Sequence, residues 1–193
     1  MIETNILNEL RSLQVLVVIP ESEIVNSLIL QLMRIGCSVR QIWPIPENID
    51  CSTDVIFTEV NQDYDNKLKK LIDTQQNNLT LISIIQYESP TILSQLIENE
   101  THGVISAPFS SHDILPCLVV ARRNSRIISI KNKELLKSKN KISKMQIVNK
   151  AKILIMKNTN VTEEQAHKLL AKNAMKLRVS ISEVASELIN NYE

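Results

Sequence analysis

Lys168, Lys172 and Lys176 recur every four residues, so on a helix they form one cationic stripe. Lys150, Lys152, Lys157 and Arg178 add charge on either side of it in sequence, and Lys144 lies just upstream. The chemistry open to such a group is neutralisation of phosphates with release of their counterions. A solvated helix face with no partner has the same composition. Bases in RNA loops are commonly stacked on aromatic side chains, yet Tyr192 is the only aromatic from residue 147 onward. Specificity would therefore fall to loop shape, backbone positioning and polar groups such as Asn149, Asn173 and Arg178. Nothing arranges serine, histidine and aspartate for catalysis, and no carboxylate pair has a defined spacing. His102, His112 and His167 are scattered, and Met145, Met156 and Met175 read as core filler.

Helices must carry these lysines. Thr162-Glu163-Glu164-Gln165 has the spacing of a capping box and opens an apolar face of Ala166, Leu169, Leu170 and Ala174. Ser180-Ile181-Ser182-Glu183 repeats the signature ahead of Val184, Ala185, Leu188 and Ile189. With Ile147, Ala151, Leu154 and Ile155 before them, three short faces close a small helical core. Such a core has little stability alone. Upstream, Ser110 and Asp113 suggest another capping box, and from there to about residue 157 there is no glycine and one proline, Pro116. This predicts a single helix of more than about 40 residues, too long to bury itself in a small domain. Ala121, Ile128, Leu135 and Ile142 recur at seven-residue spacing. Taken as d positions they place Leu118, Ser125, Asn132 and Lys139 at a, which predicts a parallel coiled-coil dimer with a polar, register-fixing seam. An amphipathic helix packed on its own domain is the alternative.

The net charge of the 193 residues is +1, but it sums two opposite halves. Residues 1–120 hold 6 Lys/Arg and 15 Asp/Glu, net −9, and residues 121–193 hold 16 and 6, net +10. The asymmetry suggests a basic module that meets a polyanion and an acidic module with another task. Only Gly36 and Gly103 are glycines, which excludes glycine-rich phosphate cradles. Cys37, Cys51 and Cys117 lie far apart, which argues against a zinc site or disulfide framework. No cofactor is expected. No apolar run approaches a membrane span and the N-terminus has no signal-peptide layout, so the expectation is a soluble cytoplasmic protein.

The acidic half alternates short apolar runs with helical patterns. Strands are expected at Gln14–Ile19, Ser38–Trp43, Asp54–Phe57, Leu79–Ile85 and Gly103–Ser106. Helices are expected after Ser22, with Gly36 as the C′ residue, over Asp65–Asp73, and over Ser89–Glu100. Five such strands imply a parallel sheet covered on both faces. The punctuation resembles a response-regulator receiver domain, an α/β flavodoxin-like fold. That resemblance implies acids after strand one, a phosphoryl-accepting Asp after strand three, a hydroxyl after strand four and a Lys before the proline that follows strand five. Here Pro20-Glu21 stands for the acids, Glu59 for the acceptor, Ile85-Gln86 near the hydroxyl and Ala107 for the lysine. The resemblance therefore implies a degenerate site in a pseudo-receiver that is not phosphorylated.

Residues 147–189 resemble the ANTAR module, a three-helix RNA-binding domain of antiterminators. The matching features are Ala151-Lys152 with Leu154 and Met156, Thr162–Ala166 with Leu169, Ala174-Met175, and Val184-Ala185 with Leu188-Ile189. The blocks Leu30-Gln31-Leu32, Arg34–Gln41, Tyr87–Pro90, His102–Ile105 and Leu115-Pro116 through Ala121-Arg122-Arg123 are similar to the AmiR family of amidase-operon regulators. The resemblance covers nearly the whole chain. It implies a pseudo-receiver over 1–120, a coiled-coil dimerisation helix over 121–145 and an ANTAR RNA-binding domain over 146–193. It further implies a homodimer that binds a leader RNA hairpin, prevents a terminator from forming, and is held by an amide-sensing negative regulator of periplasmic-binding-protein fold until inducer binds. A dimeric protein-interaction scaffold and a DNA-binding regulator are the rival readings.

Overall fold

The computed structural model describes residues 9–60 and 79–191. The helix expected over Asp65–Asp73 lies outside the described residues, as does Tyr192. The chain divides into two compact units, Met1–Ile130 and Lys131–Glu193.

In the first unit the β-branched runs pair as strands. These are β1 (Gln14–Val18), β2 (Ser38–Gln41), β3 (Val55–Glu59), β4 (Thr80–Ile85) and β5 (Gly103–Ser106). All pairings are parallel, in the order β2-β1-β3-β4-β5. The pleat sends alternate residues to opposite faces. Val15, Val17, Phe57, Ile82 and Ile84 join one core with Leu28, Leu32, Ile114 and Leu118, while Leu16, Val18, Ile56 and Leu81 join another with Ile49. This is the two-sided burial that a parallel sheet requires. Strand β2 stops before Trp43. The Ile42 N–H still donates to the Val17 carbonyl at 3.0 Å, but Pro44 has no N–H to continue the ladder.

Helix α1 (Glu23–Ile35) starts at Ser22, whose hydroxyl accepts from the Val25 N–H, and ends at Gly36 in the left-handed region at φ 103°. A Cβ there would be strained and would meet Arg11 Cγ at 3.0 Å. Helix α2 (Pro90–Glu98) is capped by Ser89 and has proline in its first turn, where no N–H is required.

Helix α3 (Ser111–Thr159) has Pro116 inside it. Before its start, the Ser110 N–H donates to Asp113 Oδ2 at 2.7 Å. In the first unit Ile114, Leu118, Ala121 and Ser125 form one buried stripe, and the Ser125 hydroxyl donates to the Leu79 carbonyl at 2.9 Å. This corrects one expectation. Ala121 is fully buried in its own unit's core, where a Cβ on Gly103 would come within 2.8 Å of it, so it offers nothing to a partner helix. Arg122 fastens the same stretch of helix to the starts of three strands. It donates to Asp54 Oδ1 at 3.0 Å, to the Asp54 carbonyl at 3.2 Å and to Thr80 Oγ1 at 3.2 Å. Asp54 Oδ2 in turn accepts from the Gln14 N–H at 3.0 Å. From residue 130 to 146 every residue of α3 is exposed.

The second unit consists of the end of α3 with α4 (Glu163–Leu177) and α5 (Ile181–Asn190). Its core is Ala151, Leu170, Ala174, Val184 and Ala185, edged by Ile147, Ile155, Leu188 and Ile189. Alanine at three of the five core positions permits close helix approach but buries little apolar area. No described helix is long and apolar enough to cross a membrane.

Candidate nucleic-acid interface

Helix α4 is built so that charge separates along it. Thr162 and Gln165 form a reciprocal capping box at its start, with Glu163 and Glu164 in the first turn and Lys176 in the last. Acids at the N-terminus and bases at the C-terminus both suit the helix dipole. The buried residues Ala166, Leu170 and Ala174 lie four apart. At 100° per residue, Lys168, Lys172, Met175 and Lys176 fall on the opposite, exposed side.

The anticipated cations have different fates. Lys152 Nζ donates to Glu163 Oε1 at 2.6 Å, and its side chain is only 15 % exposed. This hydrogen bond, with the lysine's charge, holds the Glu163 carboxyl below its usual pKa. Lys152 therefore ties α3 to α4 within the unit, which corrects its assignment as a free phosphate ligand. Lys168 reaches Glu164 at 2.7 Å, but both side chains are about three-quarters exposed, and such pairs contribute little. Lys150, Lys157, Lys172, Lys176 and Arg178 are exposed and have no ion-pair partner among the described residues. Helix α5 opens on a second reciprocal box in which the Ser180 N–H donates to Glu183 Oε2 at 2.7 Å, lowering the Glu183 pKa. The loop between α4 and α5 is thereby fixed, with Arg178 within it.

Two methionines depart from the core-filler expectation. Met145 is 56 % exposed and Met175 is 81 % exposed. The phase of Ala166, Leu170 and Ala174 already places residue 175 outward, and this was the available signal. Along α3, Ile128, Leu135 and Ile142 are 45 %, 52 % and 57 % exposed.

In the first unit, Glu59 ends β3 and accepts from Gln86 Nε2 at 2.5 Å. Glu59, Gln86 and Ala107 line one small cleft with Ser22 and Ile84, and Glu21 is not among its walls. Glu21 is thus not placed in the cleft with Glu59, and the Gln86 amide donates one hydrogen bond to the carboxylate that faces it. Among the described residues no group of three His, Cys, Asp or Glu is placed to hold a metal.

A family model described as AmiR, N-terminal, matches residues 13–122, and one described as the ANTAR domain matches residues 137–189. The aliphatic amidase regulator of Pseudomonas aeruginosa is 42 % identical over 188 residues, covering 97 % of this chain and 96 % of that protein. A CheY-like receiver domain from Methanospirillum hungatei superposes with a TM-score of 0.50 at 14 % identity, covering 60 % of this chain and 98 % of its own, which establishes a receiver-like fold. The parallel five-stranded unit, the long helix and the capped helices behind it are therefore those of a member of the AmiR family, an AmiR N-terminal unit joined to an ANTAR domain.

Proposed function

We propose that this chain regulates an amidase operon by binding the operon's leader RNA as a dimer and preventing a terminator hairpin from forming. The observation that carries the reading is the outer face of α4 and its C-terminal loop, where Lys172, Lys176 and Arg178 stand exposed and unpaired among the described residues. Phosphates are the natural ligand of such a face. The second support is kinship with an aliphatic amidase regulator. Dimerisation falls to Ile128, Leu135 and Ile142, on the stretch of α3 that its own unit leaves bare. RNA contacts fall to Lys150, Lys157, Lys168, Lys172, Lys176 and Arg178. The first unit acts as a docking surface for an amide-sensing protein and is not phosphorylated, because Glu59 stands in place of the aspartate acceptor and Ala107 in place of the lysine. The protein is a regulator and not a catalyst.

A gel shift with the leader hairpin, duplex DNA of the same sequence and an unrelated duplex RNA tests the nucleic-acid step. Retardation of the leader hairpin alone supports the reading, and preference for duplex DNA contradicts it. Co-purification from the native host with and without a short aliphatic amide tests sequestration. A sensor retained only without amide supports it, and equal retention contradicts it.

A further inference from the structure

We infer that Met175 and Arg178 form a platform on which unstacked bases of an RNA loop are stacked, distinct in role from the lysines that neutralise phosphate. The inference rests on the RNA-binding reading above and assigns it a specificity element that the absence of aromatics left open.

Met175 carries the highest exposure among the large apolar residues described, 81 %. It follows Lys172 by three residues and Lys168 by seven, so it continues the cationic stripe. A surface that met only phosphate would gain nothing from a bare thioether there. An apolar side chain set among cations matches a nucleotide, whose base has an apolar π face and whose phosphate is anionic.

Arg178 supplies an independent observation. It caps α4 at φ 56° and ψ 38°, in the left-handed region. That position most often takes glycine, as Gly36 does at the end of α1, although Glu100 and Asn160 hold it after α2 and α3. A residue with a Cβ is disfavoured there. Its backbone N–H caps the helix, as any residue's would, while its side chain has no hydrogen-bond or ion-pair partner among the described residues. Local backbone energetics thus argue for glycine, and the guanidinium has no structural task in the unit. A guanidinium is planar and stacks on bases, and methionine is polarisable and flexible enough to fit beneath one. A-form duplex hides its bases in a deep, narrow groove, so the accessible partner is a loop with splayed bases.

The full-length protein is used to enrich a hairpin from an RNA pool with one constant stem and a randomised loop. The enriched hairpin is compared with the same hairpin carrying an abasic loop of equal phosphate number. The wild type is expected to prefer the base-bearing loop by about tenfold. Arg178→Gly should melt at the same or a higher temperature and lose most of that preference. Arg178→Lys, which keeps the charge without the plane, should bind the abasic hairpin as the wild type does and also lose the preference. Met175→Ala should lose part of it. Equal wild-type affinity for both hairpins overturns the inference while leaving phosphate binding intact, as does full preference in Arg178→Gly and Met175→Ala. Failure to bind any hairpin at low salt overturns the RNA-binding reading itself, and equal binding of hairpin and bare stem overturns the inference alone.

Discussion

The two units treat their charges and their cores in opposite ways. In the first, Arg122 and Arg126 are used within the unit: Arg122 holds Asp54 and Thr80 and Arg126 pairs with Glu9, while Arg40 and Asp50 form an exposed pair and Arg11, Arg34 and Arg123 are scattered on the surface. Its cores are branched aliphatics and Phe57 on both faces of a sheet. In the second, among the described residues, only Lys152 and Lys168 are paired, three of the five core residues are alanine, and the remaining cations face solvent. The lesson is that a basic count does not locate an interface. What locates it is the charge left over after internal pairing. Helix α3 shows the same contrast along its length. Up to Ser125 its apolar stripe is filled by its own sheet, and from residue 130 to 146 nothing covers it.

The bare stretch is the sharpest place to break this comparison. Leu135→Lys puts like charges on both sides of the proposed dimer seam and is expected to convert the proposed dimer to monomer, read as a halved mass by light scattering. An unchanged mass would return Leu135 to an ordinary exposed helix face. Next in size is the small core. Leu170 is fully buried there, and Leu170→Ala should cost about 3 kcal/mol, enough to unfold a unit with so little apolar area. Amide exchange should then accelerate across α4 and α5 while β3 and β4 stay protected. In the first unit, Arg122→Ala should cost about 2 kcal/mol, because Asp54 and Thr80 lose a shared donor in a mostly buried place. The denaturation midpoint of the sheet should fall and that of the helical unit should not.

The smallest effect is one of pH. His102 Nδ1 accepts from the Leu81 N–H at 3.1 Å, so that nitrogen must be unprotonated. Burial lowers its pKa from 6.5, against the opposing charge of Glu100. Just below pH 6.5 the unfolded chain therefore binds more protons than the folded one. The contribution of His102 to stability is complete above 6.5, declines as pH falls below it, and levels off once the folded imidazole is also protonated. His102→Asn should remove that slope from a chemical-denaturation series, and retention of the slope would assign it elsewhere.

Much of the fold was legible because parallel strands announce themselves as β-branched runs, and because Ser22, Gly36, Thr162 and Ser180 carry cap chemistry that is local in sequence. The misreadings were non-local. Ala121 fits a seven-residue repeat, but the same repeat describes a helix packed on its own sheet, and only the neighbour Gly103 decides between them. Lys152 reads as a free cation until a turn brings Glu163 beside it. Glu59 and Ala107 were placed by their offsets from strand ends, but the Gln86 amide that occupies Glu59 comes from the neighbouring strand's exit and has no signature of its own.

The unpaired cations of α4 are proposed to meet RNA phosphates. Affinity of the full-length protein for the leader hairpin, measured across a salt series for the wild type and for Lys172→Glu, tests it most directly. Weaker binding is expected for Lys172→Glu, together with a salt slope shallower by about one phosphate contact, roughly 0.7 to 0.9 in log–log units. Unchanged affinity and an unchanged slope would contradict it.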